Sequence, residues 1–216
     1  MQVEKFVFGP FAENTYIAYV DTGECIIIDP GTTNDAEKQQ LKDFFNKHSL
    51  KPVRLINTHC HLDHILGNKW VKEEYGLLPE FHEKEVENVK FADEMAPNMG
   101  IEPPQSPYPE RYLSENDEIT LGSQKIKLIF SPGHSPGHLI LAPEGEDYVI
   151  SGDVIFEAGV GRTDLPGGNY ETLMQTIKDK ILSMEDSIKL LPGHGPQTTV
   201  GFERNNNPFV LAEARK

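Results

Sequence analysis

The sequence predicts an α/β fold of two similar β-rich halves packed face to face, with helices outside and a reactive site at one edge. Three observations predict it. Short apolar runs bounded by turn residues recur in both halves, separated by segments of helical periodicity. Ile26-Ile27-Ile28-Asp29 is echoed by Tyr148-Val149-Ile150-Ser151-Gly152-Asp153, each a strand delivering an Asp at its C-terminal end. Five of the eight His fall in tight turns that follow apolar strands, three of them within six residues.

The elements follow in order. Val3–Phe8 alternates weakly, Thr15–Val20 is β-rich, and Cys25–Ile28 is an apolar run stopped by Asp29-Pro30-Gly31. Asn34–His48 has a helical apolar side made of Ala36, Leu41, Phe44 and Phe45, with Asn34 or Asp35 as the cap. Val53–Ile56 is a buried strand that ends at a His cluster, and Leu66–Tyr75 is a helix stopped near Gly76. A short strand at Glu80–His82 and a helix over Glu83–Glu94 come next. Five prolines between Ala96 and Glu110 make that stretch a long loop, a candidate wall for a pocket with Tyr108. Strands resume at Glu118–Leu121, Lys125–Phe130, Leu139–Ala142 and Tyr148–Ser151. Tyr170–Leu182 is amphipathic, with Leu173, Ile177 and Ile181 on one side. Ile188–Leu191 is a last core strand, and Val200–Asn206 a helix before Asn207-Pro208.

Composition bounds the function. The 216 residues suffice for one domain, 1–216, with a real core. A net charge of −14 opposes nucleic-acid binding and attraction to anionic membranes. The N-terminus has no basic region followed by an apolar run, and no stretch reads as a membrane span. Cys25 sits in a buried strand and Cys60 between two His, so a disulfide is not expected and a cytoplasmic location is.

The chemistry lies in four short segments: His59-Cys60-His61-Leu62-Asp63-His64, Pro132-Gly133-His134, Ser151-Gly152-Asp153 and Pro192-Gly193-His194-Gly195-Pro196. His59 and His61, two apart on extended backbone, point to one side and suit one metal ion, while Cys60 points away into packing. Asp63 and His64 follow at once and suit a second ion. His134 can complete the first set and His194 the second, and Asp153 has two oxygens to bridge them. Imidazole with carboxylate suits two divalent ions, zinc first, with iron or manganese compatible. Two dications, two carboxylates and a hydroxide leave a formal charge of about +1, so an acidic protein can still receive an anionic substrate. His48 and His82 are read as structural, and His138 as packing rather than an orienting partner. Asp29 either accepts a hydrogen bond from a ligand imidazole or caps its turn. Arg162 either holds a substrate carboxylate or is a surface arginine, and Arg204 is a weaker candidate.

These segments together resemble the metallo-β-lactamase superfamily over nearly the whole chain. The resemblance implies a four-layer αβ/βα sandwich, two mixed β-sheets flanked by helices, with a dinuclear site at one edge. It implies His59, His61, His134 and Asp153 at the first metal, and Asp63, His64, Asp153 and His194 at the second. Gly159-Val160-Gly161-Arg162-Thr163-Asp164 and Asn207-Pro208-Phe209 are similar to the short, type II glyoxalase II branch. The full-length glyoxalase II enzymes carry a C-terminal helical domain that helps bind glutathione, whereas 22 residues follow His194 here. The implied activity is hydrolysis of a small hydroxyacylglutathione thioester by a hydroxide bridging the metals, aimed by Asp63, with no protein partner. True lactamases of the superfamily place a different residue where Asp153 stands. The persulfide dioxygenase branch is the competitor, implying one iron on His59, His134 and Asp153. A non-catalytic metal-binding protein is the alternative of another class.

Overall fold

The computed structural model describes residues 1–215. Strands β1 (Gln2–Phe8), β2 (Glu13–Tyr19) and β3 (Glu24–Ile28) form an antiparallel meander. Helix α1 (Asp35–His48) crosses over, and β4 (Lys51–Ile56) returns parallel to β3. The short α2 (Leu62–Ile65) and α3 (Asn68–Tyr75) lead to β5 (Pro79–Glu80), which extends the sheet in parallel. Helix α4 (Val86–Met95) and a 3₁₀ turn at Ala96–Met99 end the first half.

The second half repeats the plan. Strands β6 (Glu118–Leu121), β7 (Gln124–Phe130), β8 (Leu139–Pro143) and β9 (Tyr148–Gly152) run antiparallel. A separate small hairpin, β10 (Ile155–Phe156) with β11 (Gly159–Val160), follows. Helix α5 (Tyr170–Thr176) runs into a π-helical turn at Ile177–Ile181, and β12 (Lys189–Pro192) returns parallel to β9. The edge strand β13 (Thr198–Thr199), α6 (Val200–Asn206) and α7 (Pro208–Glu213) close the chain. The sheets have the orders β1-β2-β3-β4-β5 and β13-β12-β9-β8-β7-β6, and both are mixed.

Strand alternation builds four layers. Ile26 and Ile28 of β3 face inward with Leu139, Leu141, Ile150 and Leu191 of the other sheet, forming the core between the sheets. Cys25 and Ile27 face outward onto Leu41 and Phe45 of α1 and Val71 of α3. Ile140, Val149 and Leu190 face outward on the second sheet, against Leu173, Ile177 and Ile181 and against Val200 and Val210. The expected αβ/βα sandwich is therefore present, and the echo between the halves is a repeated strand plan.

Four details depart from the sequence-based expectation. The helix placed at 66–75 starts at Asn68, and a separate turn of helix, Leu62–Ile65, precedes it, the chain breaking step around Gly67. Gly67 packs on Pro30, where a Cβ would come 2.8 Å from the Pro30 carbonyl oxygen. The 96–110 loop begins as a 3₁₀ turn with Pro97 in its first positions, where a missing N–H costs nothing. The β10–β11 hairpin is too short for periodicity to show. Helix α7 starts at Pro208, and Asn207 caps it by accepting from the Phe209 N–H at 3.0 Å. Among the described residues, no helix is long and apolar enough to cross a membrane.

The start of α1 is fixed by two side chains. Asn34 accepts from the Glu37 N–H at 3.1 Å. Glu37 reaches back to accept from the Thr33 N–H at 2.6 Å and the Gly9 N–H at 3.0 Å, tying the helix to the β1–β2 turn. Burial acts to raise the Glu37 pKa, but the Thr33 and Gly9 N–H groups outweigh it and hold it below its ordinary value of 4.5. A carboxylate depressed on folding stabilises the fold above its unfolded pKa, and that contribution is lost as pH falls through the folded value. Glu37→Gln is therefore expected to cost about 1 kcal/mol at neutral pH. Urea melts of both proteins should converge as pH drops below 4.5; a pH-independent difference would refute the assignment.

Candidate metal centre

The repeated plan brings the chemistry to one edge. In each half an Asp follows one strand and His follow its parallel neighbour: Asp29 after β3 and His59 to His64 after β4, Asp153 after β9 and His194 after β12. His134 comes from the β7–β8 connection. The structure places all seven predicted donors here. His59, His61, His64, His134 and Asp153 are buried, and Asp63 and His194 are half-buried.

One cluster is His59, His61 and His134. His134 Nε2 lies 2.9 Å from His61 Nδ1 and 3.2 Å from His59 Nε2. The outer nitrogens fix which inner ones are bare. His134 Nδ1 donates to the Arg162 carbonyl at 2.8 Å, so its Nε2 carries a lone pair. The Thr58 hydroxyl donates to Asp29 Oδ2 at 2.6 Å, so it accepts from His59 Nδ1 at 3.1 Å, and His59 Nε2 is bare as well. Burial, reinforced by the neighbouring imidazoles, pushes the His59 pKa well down and that of His61 to about 3. His59 and His134 therefore turn lone pairs toward one point beside the neutral His61 ring, an arrangement suited to a shared cation.

A second cluster is Asp63, His64 and His194, and Asp29 joins His59 to His64 in a third group between them. Asp63 Oδ2 is 2.9 Å from His194 Nε2 and 3.7 Å from His64 Nε2. His64 Nδ1 donates to Asp29 Oδ2 at 3.1 Å and His194 Nδ1 to the Phe11 carbonyl at 3.2 Å, leaving both Nε2 atoms facing inward. Burial disfavours charge on His64, yet Asp153, Asp63 and Asp29 hold its pKa well above the ordinary value. Positive charge is wanted at this point. Asp153 stands between the clusters, Oδ1 3.5 Å from His64 Nε2 and Oδ2 3.5 Å from His134 Nε2 and 3.6 Å from His194 Nε2. Buried His61 Nε2, His64 Nε2 and Asp153 Oδ1 have no hydrogen-bond partner. Orphaned polar atoms of this kind fit a dinuclear metal site.

Surrounding residues hold the donors in place. Asp29 accepts from Thr58 and His64 and so performs the orienting role rather than turn capping alone. His138, expected to pack in preference to orienting a ligand, accepts the Asp153 N–H on its Nε2 at 3.1 Å and stacks on His59 at 4.9 Å. Cys60 packs with Ile65, Phe81, Val89 and Ala92, as its alternation predicted. Gly193 is needed because a Cβ there would sit 2.1 Å from Asp153 Oδ1.

Two anchors were missed by sequence reasoning. Glu85 is fully buried and accepts from the Cys60 N–H at 2.9 Å and the Gly137 N–H at 2.6 Å, pinning both His-bearing loops. Asn14 donates to the Pro192 and Gly195 carbonyls at 2.8 and 2.9 Å, bracing the His194 turn. A polar residue inside β2 was the available signal for Asn14; Glu85 had none among its neighbouring glutamates.

A cavity of about 470 Å³ opens over the clusters, lined by His61, Asp63, Asp153, Arg162 and His194 and by apolar side chains from α4 and the β10–β11 hairpin. Arg162 lines this cavity, with its guanidinium paired to Asp164 by two bonds of 2.7 Å. Met99 supplies the wall expected from the 96–110 stretch, whereas Tyr108 is 46% exposed and not part of the lining. Arg204 pairs with Asp186 and lies on a different cavity.

Comparison with known proteins agrees with this geometry. The model of the metallo-beta-lactamase superfamily matches residues 8–194. The chain is 36% identical to a probable metallo-hydrolase, YqgX, of Bacillus subtilis, over 97% of this chain and 98% of that one. It is 32% identical to the hydroxyacylglutathione hydrolase GloC of Haemophilus influenzae, over 99% and 100%. Among solved structures, the BLEG-1 B3 metallo-beta-lactamase superposes with TM-score 0.87 at 32% identity, over 97% and 99% of the two chains. TTHA1623 in a di-iron-bound form superposes with TM-score 0.85 at 34% identity, over 95% and 99%.

If two ions share Asp153, removing a donor from one cluster should empty that side alone. Asp63→Ala is expected to retain about half the divalent metal of the parent protein, and Cys60→Ser all of it. Elemental analysis of purified protein reads this directly, and an unchanged content in Asp63→Ala would refute the two-cluster assignment.

Proposed function

Because the chain belongs to the metallo-beta-lactamase superfamily, we propose that it is a dinuclear hydrolase of hydroxyacylglutathione-type thioesters. Asp153 carries this assignment, since its two oxygens face donors of both clusters. His59, His61, His134 and Asp153 would hold one ion, and Asp63, His64, Asp153 and His194 the other. Zinc is the proposed metal, with iron the main rival, given the di-iron form of a protein 34% identical to this one. The relative named as a hydroxyacylglutathione hydrolase, covered end to end at 32% identity, supports the substrate class.

With two divalent ions bound, the site supplies a water deprotonated near neutral pH and a Lewis acid for the substrate carbonyl. The protein's own groups do the rest. Burial would raise the Asp63 pKa, but His64 and His194 outweigh it and keep the carboxyl ionised. Its carboxylate lines the cavity, where it would accept a hydrogen bond from the attacking water and aim it. His138 holds the backbone N–H of Asp153, and Asn14 the His194 turn, so the donors need little rearrangement. A thiolate leaves readily, so no strong general acid is required. Arg162 at the cavity is the proposed contact for a substrate carboxylate, exchanging with Asp164. The substrate is a small molecule, with no nucleic acid or membrane, and the two free buried thiols suit the cytoplasm.

Beta-lactam hydrolysis is a second reading, favoured by the likeness to the BLEG-1 enzyme. Metal analysis with parallel assays separates the two. About two metals per chain with turnover of S-lactoylglutathione and none of penicillins or carbapenems supports the proposal. One iron per chain with oxygen uptake on a persulfide overturns it, as does lactam turnover alone. Asp63→Asn is expected to lower kcat by at least about 100-fold, and near-parental turnover would remove Asp63 from the mechanism.

A further inference from the structure

Helix α4 is apolar on more of its circumference than its packing requires. Val89 and Ala92 meet Ile65 and Phe81 in the core beneath the His-bearing loop. One such stripe is enough to dock a helix. Phe91 and Met95, with Met99 in the following turn, form a second stripe at four-residue spacing that lines the cavity over His61 and Asp63. Met99 is 52% exposed. Across the cavity stand Phe156, Val160 and Leu165.

The polar inventory of the same walls is short. Apart from the clustered His and Asp, Arg162 is the only charged side chain lining the cavity among the described residues, and its largely exposed guanidinium is the one contact left there for a carboxylate of the outward thiol half. Asn88 is the only uncharged polar side chain there, and its amide N–H2 donates to Glu85 at 2.8 Å. A hydroxyl on the acyl group would meet few partners of its own, whereas methylenes would remove these walls from water.

We propose that the cavity seats an aliphatic acyl chain longer than lactoyl against the Phe91–Met95–Met99 stripe, with the charged thiol half directed outward. The inference rests on the thioester reading and narrows it. Glutathione carries two carboxylates that an uncharged wall would strand, so the wall falls to the acyl half. Two methionines, unbranched and polarizable, can fit chains of differing length.

Two measurements test it. Metal-loaded protein is given acetyl-, lactoyl-, butanoyl- and hexanoylglutathione. From acetyl to hexanoyl, kcat/KM should rise about 3- to 4-fold per methylene, the transfer free energy of a buried CH₂. Separately, S-methyl- to S-hexylglutathione, thioethers that cannot be hydrolysed, are titrated calorimetrically, and Kd should fall with alkyl length. Both slopes should flatten in Met95→Ser/Met99→Ser, with circular dichroism confirming the fold. A preference for lactoyl with length-independent thioether binding overturns the acyl seat and leaves thioester hydrolysis standing. Length-dependent thioether binding without turnover of any thioester supports the seat and removes the hydrolase reading.

Discussion

The structure is organised around an electrostatic demand. Imidazole nitrogens from three loops converge at about hydrogen-bonding distance, and two carboxylates press in beside them. Such a cluster suits cations at its centre, and the outer nitrogens of four of its five imidazoles are held elsewhere. His134 is held by the Arg162 carbonyl, His194 by the Phe11 carbonyl, and His59 and His64 through Asp29. Asp29 matters most in this respect, because one carboxylate orients a donor of each cluster. It adopts a left-handed φ of 49°, backbone strain that the surrounding bonds hold in place.

The fold meets this demand by repetition. Each sheet places two parallel strands side by side, β3 with β4 and β9 with β12, and the loops leaving their C-terminal ends carry the donors. Packing the sheets face to face brings the two loop sets together at a shared edge. Close approach then depends on missing side chains. At Gly152, with φ 47°, a Cβ would come 2.5 Å from His138 Nε2, the atom that fixes the Asp153 backbone.

Charge and polarity divide the site into two parts. The donors form a polar floor of high charge density, while the walls above are largely uncharged. Desolvation by such walls strengthens the electrostatics of the floor. The acidic surface, at −14 overall, does not oppose this, since the local balance with two dications is set by the floor.

Much of this was legible in the chain. Strand and helix periodicity placed the main elements, and the clustering of His and Asp after apolar strands named the seven side chains that converge at the shared edge. Alternation turned Cys60 away from the His and Asp clusters, because side chains on extended backbone point to opposite sides whatever the fold. Tertiary structure decided the rest, for a common reason: partners distant in sequence leave no local pattern. Glu85 reaches Gly137 and Asn14 reaches Pro192 only after the sheets have packed. His138 became an acceptor for Asp153 only because β8 lies beside β9, and a second apolar stripe on α4 has meaning only once the cavity it faces exists.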